Sequence, residues 1–243
     1  MDSPALHLAD DVVGGWLQLP GSAAAELVGS VGFGFVVVDQ QHGLIGDDAL
    51  VPILQALDVT GTPALVRVTH NEPSAIGRAL DRGAAGVVVP LVDTAEQAAL
   101  AAAACHYPPR GCRSYGPSRV AWHRRRTEPL CVVMVETLAG LAALPEITAV
   151  GDLDAVFVGP SDLALTTGRP LEAQDGDPEY EEVLRGVAEQ CRERDLPVGV
   201  YCASSAHVRR FRELGFTFFA GPSEGAMLRA AAAAHLQNAR AIP

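Results

Sequence analysis

The chain has 243 residues, is 49% apolar and carries a formal net charge of −11. That length suits one large α/β domain or two small ones, and an acidic surface argues against nucleic acid or anionic membrane as a partner. No uninterrupted apolar run reaches the ~18 residues of a membrane span, and the N-terminus lacks a basic segment followed by an apolar one, so neither a span nor a signal peptide is expected.

Apolar runs follow one another along the chain, each trailed by helical sequence. Gly15 to Leu19 is the first and Ser22 to Val31 its helix; Phe35 to Asp39 is the second, followed by Asp47 to Asp58. Ala64 to Val68 precedes a helix over Glu72 to Arg82, and Gly86 to Pro90 precedes one over Thr94 to Ala104. Val132 to Val135 and Ala155 to Val158 flank helical sequence from Leu138 to Val150. Pro197 to Tyr201 and Phe216 to Ala220 complete the series of eight. Short Val- and Phe-rich runs are what strands buried on both faces look like, and helical crossovers make them parallel. Eight such units in 243 residues predict a closed (β/α)8 TIM barrel in a single domain over 1–243, with a doubly wound open sheet as the alternative. No G-x-G-x-x-G follows the first strand, which weakens a dinucleotide-binding version.

Helix starts are marked at Asp93 or Thr94 and at Ser204 or Ser205. Pro160 and Pro222 each follow a predicted strand and precede a helix. Two segments stand outside the repetition: the arginine-rich His106 to Pro129, with Arg110, Arg113, Arg119 and the run Arg124 to Arg126, and the polar Gly168 to Pro178. The first is either a solvated or subunit-contacting surface or a binder of an anionic substrate. The cysteines (105, 112, 131, 191, 202) are scattered, without a C-x-x-C pair, and fit a reducing cytoplasm. Cys105, His106 and Cys112 read as buried and loop groups rather than zinc ligands.

In a barrel, groups at the C-terminal strand ends face the active site. Glu136 and Asp162 end consecutive units and therefore lie at one edge. With no basic residue between them they repel unless something cationic intervenes, and oxygen ligands in that arrangement suit a hard divalent ion such as Mg²⁺ or Mn²⁺. Asp162 could instead serve only as a helix N-cap. His42 follows the second strand, and Asp39, three residues earlier, could orient its ring for acid–base work. Arg67 interrupts an apolar strand, where it needs a partner such as Asp39 or Glu136. Asp81, before Gly83, reads as a helix-end residue.

The segments VVVDQQHG (36–43), ALVRV (64–68), LDRGAAGVVVPLVDTAEQA (80–98), YPPRGCRSYG (107–116), VMVET (133–137) and VFVGPSDLA (156–164) together resemble the HpcH/HpaI aldolase family over nearly the whole chain. The resemblance implies a barrel of the phosphoenolpyruvate/pyruvate type and a class II, pyruvate-dependent aldolase. It implies that Glu136 and Asp162 hold a divalent ion (Mg²⁺, Mn²⁺ or Co²⁺). Arg67 would hold the keto oxygen and stabilise the enolate. His42, paired with Asp39, would move the proton of the aldol hydroxyl together with a water on the ion. The amides around Ser161 and Asp162 would receive the pyruvate carboxylate. It further implies a homo-oligomer, trimer or hexamer, with exchanged C-terminal helices over Pro222 to Ala241. Many members have an acidic residue where this chain has Gln41, and Gln where it has Met134.

The expected reaction splits a 4-hydroxy-2-oxo acid into pyruvate and an aldehyde through an ion-stabilised enolate. A class I imine mechanism is excluded, because the sequence contains no lysine. The alternatives are related enolate chemistry, such as oxaloacetate decarboxylation or a biosynthetic carbon–carbon bond-forming step, and a non-catalytic oxo-acid-binding barrel.

Overall fold

The computed structural model describes residues 6–116, 119 and 128–241. Eight parallel strands close into a barrel in sequence order: β1 (Val12–Leu17), β2 (Phe35–Asp39), β3 (Ala64–Arg67), β4 (Gly86–Val89), β5 (Leu130–Val135), β6 (Ala155–Val158), β7 (Val198–Tyr201) and β8 (Phe218–Ser223). The open doubly wound sheet is thereby excluded. Helices α1 (Ser22–Gly29), α2 (Asp47–Thr60), α3 (Pro73–Asp81) and α4 (Ala95–Cys105) follow the first four strands.

Two apolar clusters divide the barrel wall. Val36, Val38, Val66, Val87 and Val89 point outward against the helices. Trp16, Phe35, Val37, Leu65, Val88, Met134, Phe157 and Phe218 point inward. The interior is plugged by rings, with Phe35 and Phe157 each about 6 Å from Phe218, at 6.1 and 5.8 Å between centroids. Gly14 makes room for that plug, since a Cβ there would lie 2.4 Å from the Phe35 ring.

Several boundaries differ from the sequence expectation. β1 starts at Val12 and ends at Leu17, so Gln18 and Leu19 fall on the mouth rather than in the strand. β8 runs to Ser223, with a shift in its pairing to β1 between Gly14 and Trp16, and this draws Pro222 into the strand. The helix expected over Leu138 to Val150 is broken into α5 (Leu138–Ala142) and α6 (Leu144–Ile147). Pro145 removes the N–H that would have bonded to Leu141. α7 (Pro160–Thr166), a 3₁₀ turn (Leu171–Asp175) and α8 (Pro178–Arg192) link β6 to β7. α9 (Ser205–Glu213) is capped by Ser204, and α4 by Thr94. The last helix, α10 (Glu224–Arg240), buries only Glu224.

Candidate active site

The barrel places the predicted residues at one mouth. Asp39 and Arg67 are the last residues of β2 and β3 and face each other in register. Their pair is bidentate, Arg67 Nε donating to Asp39 Oδ1 at 2.8 Å and Nη2 to Oδ2 at 2.6 Å. Asp39 is fully buried and Arg67 nearly so, which makes each the condition for the other. Burial pushes the Asp39 carboxyl up, but the Arg67 bond and charge, with smaller help from Gln18 and the His42 amide, outweigh it and hold it below the usual range. The guanidinium also stacks over Trp16, 4.8 Å from the ring centroid. Among the described residues nothing bonds Arg67 Nη1, which is left for a ligand.

The expected pairing of Asp39 with the His42 ring is not formed. Asp39 Oδ1 accepts the backbone N–H groups of Gln41 and His42 at 3.1 and 3.2 Å. Its Oδ2 accepts from Trp16 Nε1 at 3.3 Å and Gln18 Nε2 at 3.1 Å. With Arg67 added, the carboxylate has no lone pair left for an imidazole. Asp39 thus shapes the turn that carries His42, and the ring stands exposed at the mouth.

Glu136 directly follows β5, and Asp162 lies in the first turn of α7, whose N-cap is Gly159. Asp162 is therefore not the cap, and its side chain makes no capping bond. Glu136 is 2% exposed, and among the described residues its one hydrogen bond comes from the Leu91 amide to Oε1 at 3.0 Å. Burial, with added repulsion from Asp162 and Asp93, raises its carboxyl to about 7, against the opposing Leu91 bond and Arg67 charge. Gly159 packs under it, where a Cβ would lie 2.5 Å from Glu136 Oε2. Among the described residues no arginine or histidine pairs with Glu136 or Asp162, and no group of three or more His, Cys, Asp or Glu is placed to share a metal ion. Two carboxylates without a counter-cation, one of them desolvated, are a donor set that fits a hard divalent ion.

A cavity of about 150 Å³ opens between these strand ends, with Glu136 behind its Gly159 wall rather than on its lining. His42, Arg67, Ser161 and Asp162 line it, together with Trp16, Gln18, Met134 and Tyr201. It is below the ~300–1,000 Å³ of sites for drug-sized ligands and suits a small acid. Trp16, Gln18 and Tyr201 were not singled out from sequence as site residues. Gln18 carried a usable signal, an amide inside an otherwise apolar predicted strand.

The arginine-rich segment does not reach this mouth in its described part. Arg113 pairs with Asp81 at 2.7 Å, Arg110 with Asp152 at 2.7 Å, and Arg119 with Asp58. Those carboxylates sit at helix C-termini or before β6, on the opposite face of the barrel. An α-to-β connection lies on that face, so the anion-binding reading fails for these three arginines. Arg124, Arg125 and Arg126 lie outside the described residues.

Residues 13–231 match the family model HpcH/HpaI aldolase/citrate lyase. The chain belongs to this family. It is 36% identical over 235 residues to a hydroxypyruvate/pyruvate aldolase of Rhizorhabdus wittichii, covering 94% of each chain. It is 33% identical over 226 residues to a 4-hydroxy-2-oxo-heptane-1,7-dioate aldolase of Klebsiella pneumoniae, covering 89% of this chain and 84% of that one. A crystal structure of an HpcH/HpaI aldolase/citrate lyase family protein from Burkholderia cenocepacia superimposes with a TM-score of 0.88 at 27% identity, over 96% of both chains. The chain is accordingly a carbon–carbon lyase on a (β/α)8 barrel. No helix among the described residues is long and apolar enough to cross a membrane.

Proposed function

We propose that the chain cleaves the C3–C4 bond of a 4-hydroxy-2-oxo acid to pyruvate and an aldehyde, and catalyses the reverse addition. The observation that carries this reading is the convergence of the Arg67 guanidinium, His42 and the Asp162 carboxylate on a single small cavity, with the buried Glu136 carboxylate directly behind its Gly159 wall. Arg67 Nη1 donates to the 2-keto oxygen, with its charge held in place by Asp39 and Trp16. The first-turn amides of Ser161 and Asp162, which have no carbonyl partner within α7, receive the substrate carboxylate. A divalent ion (Mg²⁺, Mn²⁺ or Co²⁺) held by Glu136 and Asp162 supplies, when bound, Lewis-acid polarisation of the keto group. His42 takes the proton of the 4-hydroxyl. The C4–O electrons then form the aldehyde carbonyl, the C3–C4 pair becomes the enolate C2–C3 double bond, and a proton returned to C3 yields pyruvate. Arg67 is placed to stabilise the enolate oxygen as it gains charge.

Met134 gives a second reading some weight. Its thioether forms part of the cavity wall beside Gly159, and an apolar wall favours loss of carbon dioxide from oxaloacetate through the same enolate.

Residues 1–243 are read as one functional domain in the cytoplasm, where the free cysteines remain reduced. α10 packs on a neighbouring copy in a trimer or hexamer. A helix of 17 residues with Leu228 and Leu236 at least half exposed is otherwise without a core.

The test is solvent deuterium exchange into the pyruvate methyl group, followed by pyruvate release from several 4-hydroxy-2-oxo acids and from oxaloacetate. Exchange that disappears in Glu136→Ala and Asp162→Ala, with an aldehyde formed by the parent, is expected. Carbon dioxide without any aldehyde favours the second reading, and no exchange at all leaves a non-catalytic barrel. Sedimentation of the same preparation as a monomer would overturn the assembly.

A further inference from the structure

Glu224 opens α10, where an acid ordinarily faces its own helix amides and water. Here the side chain turns inward and is 7% exposed. Its Oε1 and Oε2 both accept the Gln18 amide at 2.9 Å, and Oε1 accepts the Leu19 amide at 2.7 Å. Oε2 also takes the Gly225 amide at 3.2 Å. Glu224 is the only buried residue of α10, so this carboxylate is the anchor of the helix on the barrel. Gln18, pinned by its backbone, reaches with its side chain to Asp39 Oδ2 at 3.1 Å. The same oxygen receives Arg67 Nη2 at 2.6 Å. Each link is buried or half-buried and most are charge-assisted, so they are short and directional.

We infer that Glu224 is a positioning residue, fixing Gln18 so that its amide holds the Asp39–Arg67 pair in register with the cavity. The orientation of the C-terminal helix thereby becomes a determinant of how the arginine meets the keto oxygen. The inference rests on the role proposed for Arg67.

The test uses the full chain loaded with Mn²⁺ and reads kcat and KM for deuterium exchange into pyruvate, with Glu224→Ala, Gln18→Ala and the double variant. Glu224→Ala is expected to raise KM about tenfold, with a smaller fall in kcat. In the Gln18→Ala background the same change is expected to add less than about twofold, since the route is already cut. A role confined to folding would lower the melting temperature and the active fraction and leave KM alone. An unchanged KM, or effects that multiply in the double variant, overturns the inference. If Glu224→Ala does not fold, Glu224→Gln, which keeps the volume and one acceptor, is taken through the same cycle with the same criteria. Arg67→Ala is measured alongside. A wild-type KM in that variant sinks the reading of the site itself, whereas a raised KM there with a wild-type KM in the Glu224 variant sinks only the coupling.

Discussion

Leu91 delivers its amide to Glu136 from a left-handed backbone. Its φ is +55°, and the N–H reaches Oε1 at 3.0 Å. A leucine in that region is strained, and such strain persists only where the surroundings over-determine it. Here the Val92 amide bonds to the Met134 carbonyl at 3.1 Å, and Asp93 bonds the Thr137 hydroxyl on the next unit. The β4–α4 connection is thus clamped to β5, and the clamp aims one amide at the carboxylate.

Substitutions at Leu91 should follow backbone preference rather than side-chain size. Leu91→Gly relieves roughly 1–2 kcal/mol of left-handed cost and loses a similar amount to unfolded-chain entropy, so its stability should stay within about 1 kcal/mol of the parent. Leu91→Ile, β-branched at the same φ, should lose about 1–3 kcal/mol. Urea midpoints decide, and equal stability of the isoleucine and leucine forms would remove the strain argument.

The raised carboxyl of Glu136 predicts a pH slope in the ion-free protein. The folded state binds this proton up to about pH 7, whereas the unfolded chain releases it near the ordinary glutamate value of 4.5. Between those limits the folded state holds more protons, so stability falls as pH rises, by about 3 kcal/mol in all. Melting curves from about pH 5 to about pH 8 should show this decline in the parent and a flatter one in Glu136→Gln. An added divalent ion should raise the parent's melting temperature more at the alkaline end. Parallel curves for the two proteins would count against it.

Gly159 supplies a test of the carboxylate's placement. A methyl there would lie 2.5 Å from Glu136 Oε2 and 2.7 Å from Met134 Cε. Met134 can swing away, but Glu136 is held by Leu91 and must move. Gly159→Ala should fold and lose about 10–100-fold in Mn²⁺ affinity by calorimetry. Parental affinity would mean that Glu136 is not where the ion sits.

Much of this arrangement was legible because parallel strands have a direction. Glu136 and Asp162 end successive units, so the edge they share follows from chain order alone, and Arg67 needed a buried partner that its register neighbour Asp39 provides. The local geometry was not legible. Asp39 three residues before His42 suggested a ring contact, yet the burial of that carboxylate draws in backbone amides, Gln18, Trp16 and Arg67 first. Nothing in the sequence singles out Glu224, because its partners, Gln18 and Leu19, lie at the other end of the chain. The arginine-rich connection left two readings open in sequence, and the face it joins removes the anion-binding one for Arg110, Arg113 and Arg119.

Among the described residues, the phenylalanine plug closes the barrel interior below the mouth. The rings of Phe35, Phe157 and Phe218 pack in one buried cluster with Trp16 and Met134, which line the cavity, so the way out for a molecule seated against Arg67 is upward, through the mouth. In the reaction proposed above, an aldehyde formed over the oxo acid would stand in that exit, which predicts ordered traffic: aldehyde out before pyruvate, pyruvate in before aldehyde.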